Sequence, residues 1–211
     1  MILFVILTIQ NRDLVALSKA LQGIDLSKKS IAFYVVPIVL GAVYYALRLR
    51  RLFFKGPIQV IQKNIRERLV SAVENDPRIA GHAQHLKEDT KLLEVFYRFV
   101  DSDPSLTEKS NNVRMNGLVL SSFADACVVS LGAILLYAVL LVFRFSFYYV
   151  LLLLLSASVF VLSRFLFVPN TTRIHLDYSN SQVNFITTNL NDQLRDALEK
   201  LIEINEANSS A

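Results

Sequence analysis

The sequence holds one cysteine and no tryptophan. Its lone thiol, Cys127, lies within an apolar run, so no intrachain disulfide can form and no CxxC-type metal site exists. Without tryptophan, an aromatic belt at a membrane boundary must use tyrosine. Tyr34, Tyr44, Tyr45, Tyr148 and Tyr149 all lie in or beside apolar runs. No nucleophile elbow, P-loop, GxGxxG or HExxH is present, so nothing points to an enzyme and no cofactor is expected. Charge is also scarce, but only locally. From Ala126 to Ser163 the chain runs 38 residues with Arg144 as its only charged side chain.

That run dominates the reading. As one helix it would be about 57 Å long, nearly twice the hydrocarbon thickness of a bilayer. Two spans are required, and Phe143-Arg144-Phe145-Ser146 is the only polar break between them. A tight antiparallel hairpin turning there pairs residues whose numbers total about 289. Asp125 then faces Arg164, a candidate ion pair at the membrane boundary. Gly132 and Ala133 face Ser156, Ala157 and Ser158, small residues that let helix backbones approach closely. The fold class expected is therefore all-α, an integral membrane protein with a hairpin towards its C-terminal side.

Elsewhere the chain is watery. Hydrophobic residues are 53% of its 211, and the mean hydropathy of +0.41 is low for a protein wholly inside lipid. Gln59 to Arg114 is thick with Lys, Arg, Asp and Glu. The net charge of +4 sits beside apolar segments, which favours anionic headgroups over nucleic acid as the partner.

Four regions are expected. Residues 1–55 form a membrane-associated part. Within it Met1–Ile9 is too short to span and lacks the features of a signal peptide. It reads as a membrane-dipping or packed segment, or as the tail of a longer helix with a mis-assigned start. A short amphipathic helix follows from Asp13 through Leu14, Leu17, Leu21 and Ile24. Residues 31–47 are uncharged and close to the minimum for a span, kinked at Pro37 and Gly41, with a re-entrant helix as the alternative. Arg48, Arg50, Arg51 and Lys55 close this part.

Residues 56–116 are read as cytosolic helices. Pro57 restarts the chain, and Ile58, Ile61, Ile65, Leu69 and Val73 form one stripe. A second helix spans Pro77–Val100, whose greasy second half needs a cover. A capping box, Ser105 with Glu108, opens a helix that continues into the membrane. Residues 117–168 hold the hairpin. In 169–211, Arg173–Tyr178 alternates like a strand. From Gln182 the apolar spacing averages 3.5, the coiled-coil period, making Leu190, Leu194, Ala197 and Leu201 candidates for oligomerisation. The cationic flank puts residues 48–116 and the tail in the cytosol, on a bacterial inner membrane.

Few residues suggest chemistry. Asp125 would serve an ion path if it were not paired. His82, His85 and Asp89 share one face of a continuous helix, with Glu88 near and His175 as a distant fourth. They are a metal candidate, against the plainer reading of a solvated polar face. Arg78 and His85 enclose six residues, a spacing similar to the R-x(4–6)-H signature of HEPN ribonucleases, with Ile79 where a polar residue usually follows the arginine.

The hairpin with its flanking helices resembles, in plan alone, the small membrane effectors of bacterial anti-phage systems. The function expected is a non-enzymatic, oligomeric membrane effector or sensor. Its cytosolic helices meet a partner or signal, and its hairpin gates or perturbs the bilayer. The alternatives are an assembly subunit of a larger membrane complex, or a channel or transporter subunit using Asp125.

Overall fold

In a computed structural model of the chain, residues 38–39 and 41–209 are described. The expectations for Met1–Ile9, for the helix from Asp13 and for most of residues 31–47 lie outside them. Every regular element among the described residues is helical. After a helical stretch at 41–46 come α1 (Arg51–Ser71), α2 (Pro77–Ala80), α3 (Ala83–Glu88), α4 (Lys91–Ser102) and α5 (Pro104–Phe143). Then follow α6 (Phe147–Val161), a π-helical turn (Leu162–Phe167), α7 (Val168–Asn189) and α8 (Asn191–Ser209). The chain divides into two compact units. One comprises Phe123–Phe165 with the described part of residues 1–53, and the other Phe54–Ser122 with Leu166–Ala211.

The second unit is built on the apolar stripes. In α1, Ile61, Ile65 and Leu69 are buried at intervals of one helical turn, and Val73 is buried just beyond it. Pro57 does not restart this helix as expected. α1 begins six residues earlier, at Arg51, and carries Pro57 inside it. The proline lacks the N–H that would otherwise reach back to the fourth residue before it.

The single helix expected over Pro77–Val100 is three. Asp89 breaks it: its backbone is extended, and its Oδ1 accepts the Lys91 N–H at 2.8 Å. A short polar side chain competes here with the helical ladder and wins. The greasy end of the stretch is covered as it must be. Leu92, Leu93, Phe96, Phe99 and Val100 are all buried, with α7 and α8 packed against α4.

Asp-Pro pairs start two of these helices. Asp76 Oδ1 accepts the Arg78 N–H at 3.0 Å ahead of α2. Asp103 Oδ1 accepts the N–H groups of Ser105 at 2.8 Å and Leu106 at 3.3 Å ahead of α5. In both, proline takes the first helical position, where its missing donor costs nothing. The cap of α5 is thus Asp103, not the Ser105–Glu108 box. Thr107 reinforces it, its hydroxyl donating to Val100 O and Asp103 O.

Two further corrections fall in the tail. Arg173–Tyr178 is helical, not a strand. Val168, Thr171, Ser179, Gln182, Val183 and Ile186 are buried at helical spacing on both sides of it, and that longer pattern overrides six alternating residues. The heptad spacing is cut at Leu190, where α7 ends with φ −122° and ψ 26°. Leu194 and Leu201 are buried inside this chain, beside Leu198, with α8 packed on α2 and α4. They are spent on the unit's own core rather than left for a partner's helix. Ala197 and Leu190 are half-buried.

Polar side chains join α1 and α7: Asn64 Nδ2 donates to Asn180 Oδ1 at 2.7 Å, and Arg68 to Asn184 at 2.9 Å. Asn116 of α5 donates to the Thr171 carbonyl at 2.9 Å, and the Lys109 ammonium lies 5.3 Å from the Phe185 ring centre.

Asp103→Ala is expected to cost about 1 kcal/mol, the usual loss for an acidic cap, read as a lowered midpoint of unfolding in detergent. Asp76 adds an acid-dependent contribution. The Arg78 N–H, then the Arg78 guanidinium, hold its carboxyl below the usual carboxylate range. The stability it supplies is therefore complete above about pH 4 and lost as pH falls through the lowered folded value. Unfolding midpoints measured from pH 5 down to pH 3 should fall less steeply in Asp76→Asn than in the wild type.

Candidate functional site

The first unit contains the apolar hairpin, and its chemistry begins with backbone satisfaction. α5 ends at Phe143 and α6 starts at Phe147, so the break falls at Arg144–Ser146. Both α5 and the run from Phe147 to Asn189 are long and apolar enough, by length and composition, to cross a membrane. Phe143, Phe145 and Val142 are more than four-fifths exposed.

Between the two arms, Tyr137, Tyr149 and Leu152 form a buried cluster, with Ala133, Leu140, Leu141 and Leu153 packed around it. These residues fit the expected register, since Tyr137 with Leu152 and Leu140 with Tyr149 each total 289. Gly132 does not fit. It is exposed, and a Cβ added there would meet nothing within 4 Å. One residue is 100° of helix, and the contact line runs through Ala133 instead. Ser156 is fully buried, Ala157 half-buried and Ser158 exposed. Each serine settles its own hydroxyl, Ser156 donating to Leu152 O at 2.7 Å and Ser158 to Leu154 O at 2.9 Å.

At the other end of the hairpin, Asp125 finds a partner that was not expected. Arg50 Nε donates to Asp125 Oδ1 and Arg50 Nη2 to Oδ2, both at 2.7 Å, and the Tyr44 hydroxyl also donates to Oδ1. This is a two-pronged guanidinium–carboxylate pair, the strongest neutralising geometry an arginine offers.

Local structure delivers it. The helical stretch ending at 46 is closed by 2.9 Å and 3.0 Å backbone bonds from Leu47 to Val43 and from Arg48 to Tyr45. Arg48 then adopts a left-handed backbone, φ 51°, and α1 starts at Arg51. That reversal brings Tyr44 and Arg50 to the same carboxylate. Phe53 packs edge-on against Phe160 of α6, ring centres 5.8 Å apart, and fastens the same segment to the second arm.

Arg164 is not the partner of Asp125. It lies in the π-helical turn, exposed, with its guanidinium 5.7 Å from the Phe165 ring centre. The π turn holds an extra residue and re-aims the side chains within it, which an unbroken α-helical register does not anticipate. Arg50 was legible only as one member of a cationic edge, and Tyr44 only as one tyrosine of a belt. The sign that was available is that the described residues of this unit contain a single acid among several arginines.

The metal candidate does not assemble. His82 sits at the start of α3 with Nε2 3.6 Å from Glu206, and His85 is exposed. Asp89 gives Oδ1 to the Lys91 N–H and Oδ2 to Asn205 at 2.7 Å. Their shared face required a continuous helix, which Asp89 itself interrupts. Among the described residues no three His, Cys, Asp or Glu side chains could hold a metal. His175 lies on α7, its Cε1 3.7 Å from where a Cβ on Gly117 would stand, and burial pushes its imidazole below the ordinary histidine range.

Arg78 is occupied too. Its guanidinium contacts both Asp76, at 3.3 Å, and Glu199, at 2.5 Å, which tie α2 to α8, and His85 joins none of these contacts. Between α4 and α8 runs an open groove. Val95, Phe99, Ala197, Leu201 and Ile204 form its floor, and Lys91, Glu94 and Asp196 lie along its rim.

Comparison with protein families, curated proteins and solved structures finds no match to this chain.

The Asp125 pair yields a direct expectation. Asp125→Ala and Arg50→Ala should each destabilise the protein by about 1 kcal/mol, the upper scale of a part-exposed pair. The double variant should be no worse than either, because each single change already removes the pair. Arg164→Ala should stay within about 0.5 kcal/mol of the wild type. Unfolding in lipid bicelles measures all four.

Proposed function

We propose that this chain is a non-enzymatic integral membrane effector or sensor. Its hairpin crosses the bilayer, and its charged helical unit receives a signal or a protein partner. The observation that carries the reading is helical continuity. α5 runs 40 residues without a break from its Asp103 cap to Phe143, and Phe147–Asn189 is one 43-residue run of helix. Residues that pack in the charged unit and residues of the apolar hairpin therefore belong to the same two helices. This shared membership supports a role in which the charged unit and the hairpin act together.

On this reading Arg48–Asn116 and the tail face the cytosol, the arginine-rich side, and Arg144 faces outward. The groove between α4 and α8, apolar at its floor and mixed in charge at its rim, supports docking of a protein partner there. The ion-path alternative loses ground, because Arg50 already occupies both carboxylate oxygens of Asp125. The assembly-subunit alternative keeps one support, the same groove.

The deciding experiment follows membrane potential in cells expressing the full chain under tight control, beside Asp125→Ala at the same level. Depolarisation by the wild type, at least halved in the variant, is the expected outcome. An unchanged potential in both, together with a stoichiometric partner co-purifying through the charged helices and no effect on growth, would overturn the effector reading in favour of assembly.

A further inference from the structure

The charges of the first unit are not spread evenly along its hairpin. Asp125 stands about 27 Å of helix from Phe143, and Arg164 about 26 Å from Phe147, at 1.5 Å per residue. That separation is close to one hydrocarbon thickness. One end of the hairpin carries Arg144. At the other end, the Arg50–Asp125 pair and the Phe53–Phe160 contact fasten residues 50–53 beside residues 125 and 160 of the two arms. Arg164 belongs to this end as well, by its distance along the second arm.

Arg48, Arg50, Arg51 and Arg164 therefore meet at one level, and all four are exposed. Asp125 is the only acid among the described residues of the unit, and Arg50 occupies both of its oxygens. Arg48, Arg51 and Arg164 have no carboxylate partner among the described residues. Interleaved with them are large apolar side chains, Leu47, Leu52 and Phe165, each about two-thirds exposed. A nucleic acid or an acidic protein would match the guanidinium groups but leave those apolar groups in water. A bilayer surface matches both, with phosphates at the level of the arginines and acyl chains directly beside them.

We infer that Arg48, Arg51 and Arg164 form a collar that binds the phosphates of anionic phospholipid in one leaflet, so that the chain retains such lipid selectively. The inference rests on the membrane-spanning reading above. The planar guanidinium grips phosphate through paired N–H groups, which a choline headgroup masks with its own cation. Asp125 sets the collar's level without weakening it, because its charge is already cancelled.

The test uses the full chain in detergent, reconstituted into vesicles of phosphatidylcholine alone or of phosphatidylcholine mixed with phosphatidylglycerol. Alkaline carbonate extraction checks insertion, and native mass spectrometry reads the lipid retained after purification. The wild type should retain phosphatidylglycerol in preference. Each of Arg48→Gln, Arg51→Gln and Arg164→Gln should lower that preference about five-fold. Arg144→Gln should leave it unchanged. The triple lysine variant, which keeps the charge but not the paired N–H groups, should be more selective than the triple glutamine variant and less than the wild type, separating lipid binding from any folding defect.

Equal retention of the two lipids by the wild type would overturn the collar, as would a triple glutamine variant as selective as the wild type. A chain that inserts into both vesicles without lipid preference refutes the collar alone. A chain extracted by carbonate from both refutes the membrane reading on which it stands.

Discussion

The structure depends first on one constraint: 38 residues with a single charge offer few side chains to satisfy the polar groups of their own backbone. Only helices satisfy their own N–H and C=O groups under that condition. This fixes α5 and α6 as uninterrupted elements and confines the break to Arg144–Ser146, where polar atoms return. It also explains Ser130, Ser156 and Ser158, each of which folds its hydroxyl back to a carbonyl one turn earlier instead of seeking a distant partner. A carboxylate at the edge of such a run meets the same demand in stronger form. Asp125 answers it by drawing Arg50 and Tyr44 from a segment far away in sequence. The left-handed turn at Arg48 is the local cost of that long-range arrangement.

The second unit obeys the opposite rule. Three of its turns are set by side chains: Asp76, Asp89 and Asp103 each accept a backbone N–H two residues on. Its core is supplied by apolar stripes on α1, α4, α7 and α8 that no single helix can bury alone. Ion pairs such as Arg78–Glu199 and Lys87–Glu74 lie over that core. Exposed pairs of this kind add little energy, so the burial of residues such as Leu92, Leu106 and Leu194 carries the unit's stability.

Legibility in the sequence followed the range of the interaction involved. The two apolar arms and the break between them could be read, because run length around one polar interruption is local arithmetic. The stripe from Ile61 to Leu69 could be read for the same reason. What could not be read depended on distant partners or on exceptions to α geometry. The Arg50–Asp125 pair joins residues 75 apart, through a left-handed arginine that nothing in the composition announces. Arg164 was displaced by a π turn, and the Pro77–Val100 helix was divided by the competition of Asp89 for a backbone donor. The heptad over Val183–Ile204 was real as a pattern. At Val183, Ile186, Leu194 and Leu201 it records burial within the chain, and spacing alone does not distinguish that from burial between chains.

The π-helical turn at Leu162–Phe167 has a consequence of another kind. A turn of this type holds one residue more than an α-helix needs to cover the same length, while the helices on either side keep their phase. A one-residue deletion usually rotates everything downstream by 100° and ruins a packed face. Here the surplus residue can be lost and the turn can close to α geometry. The six positions from Leu162 to Phe167 are thus the part of this helix best able to absorb a one-residue deletion.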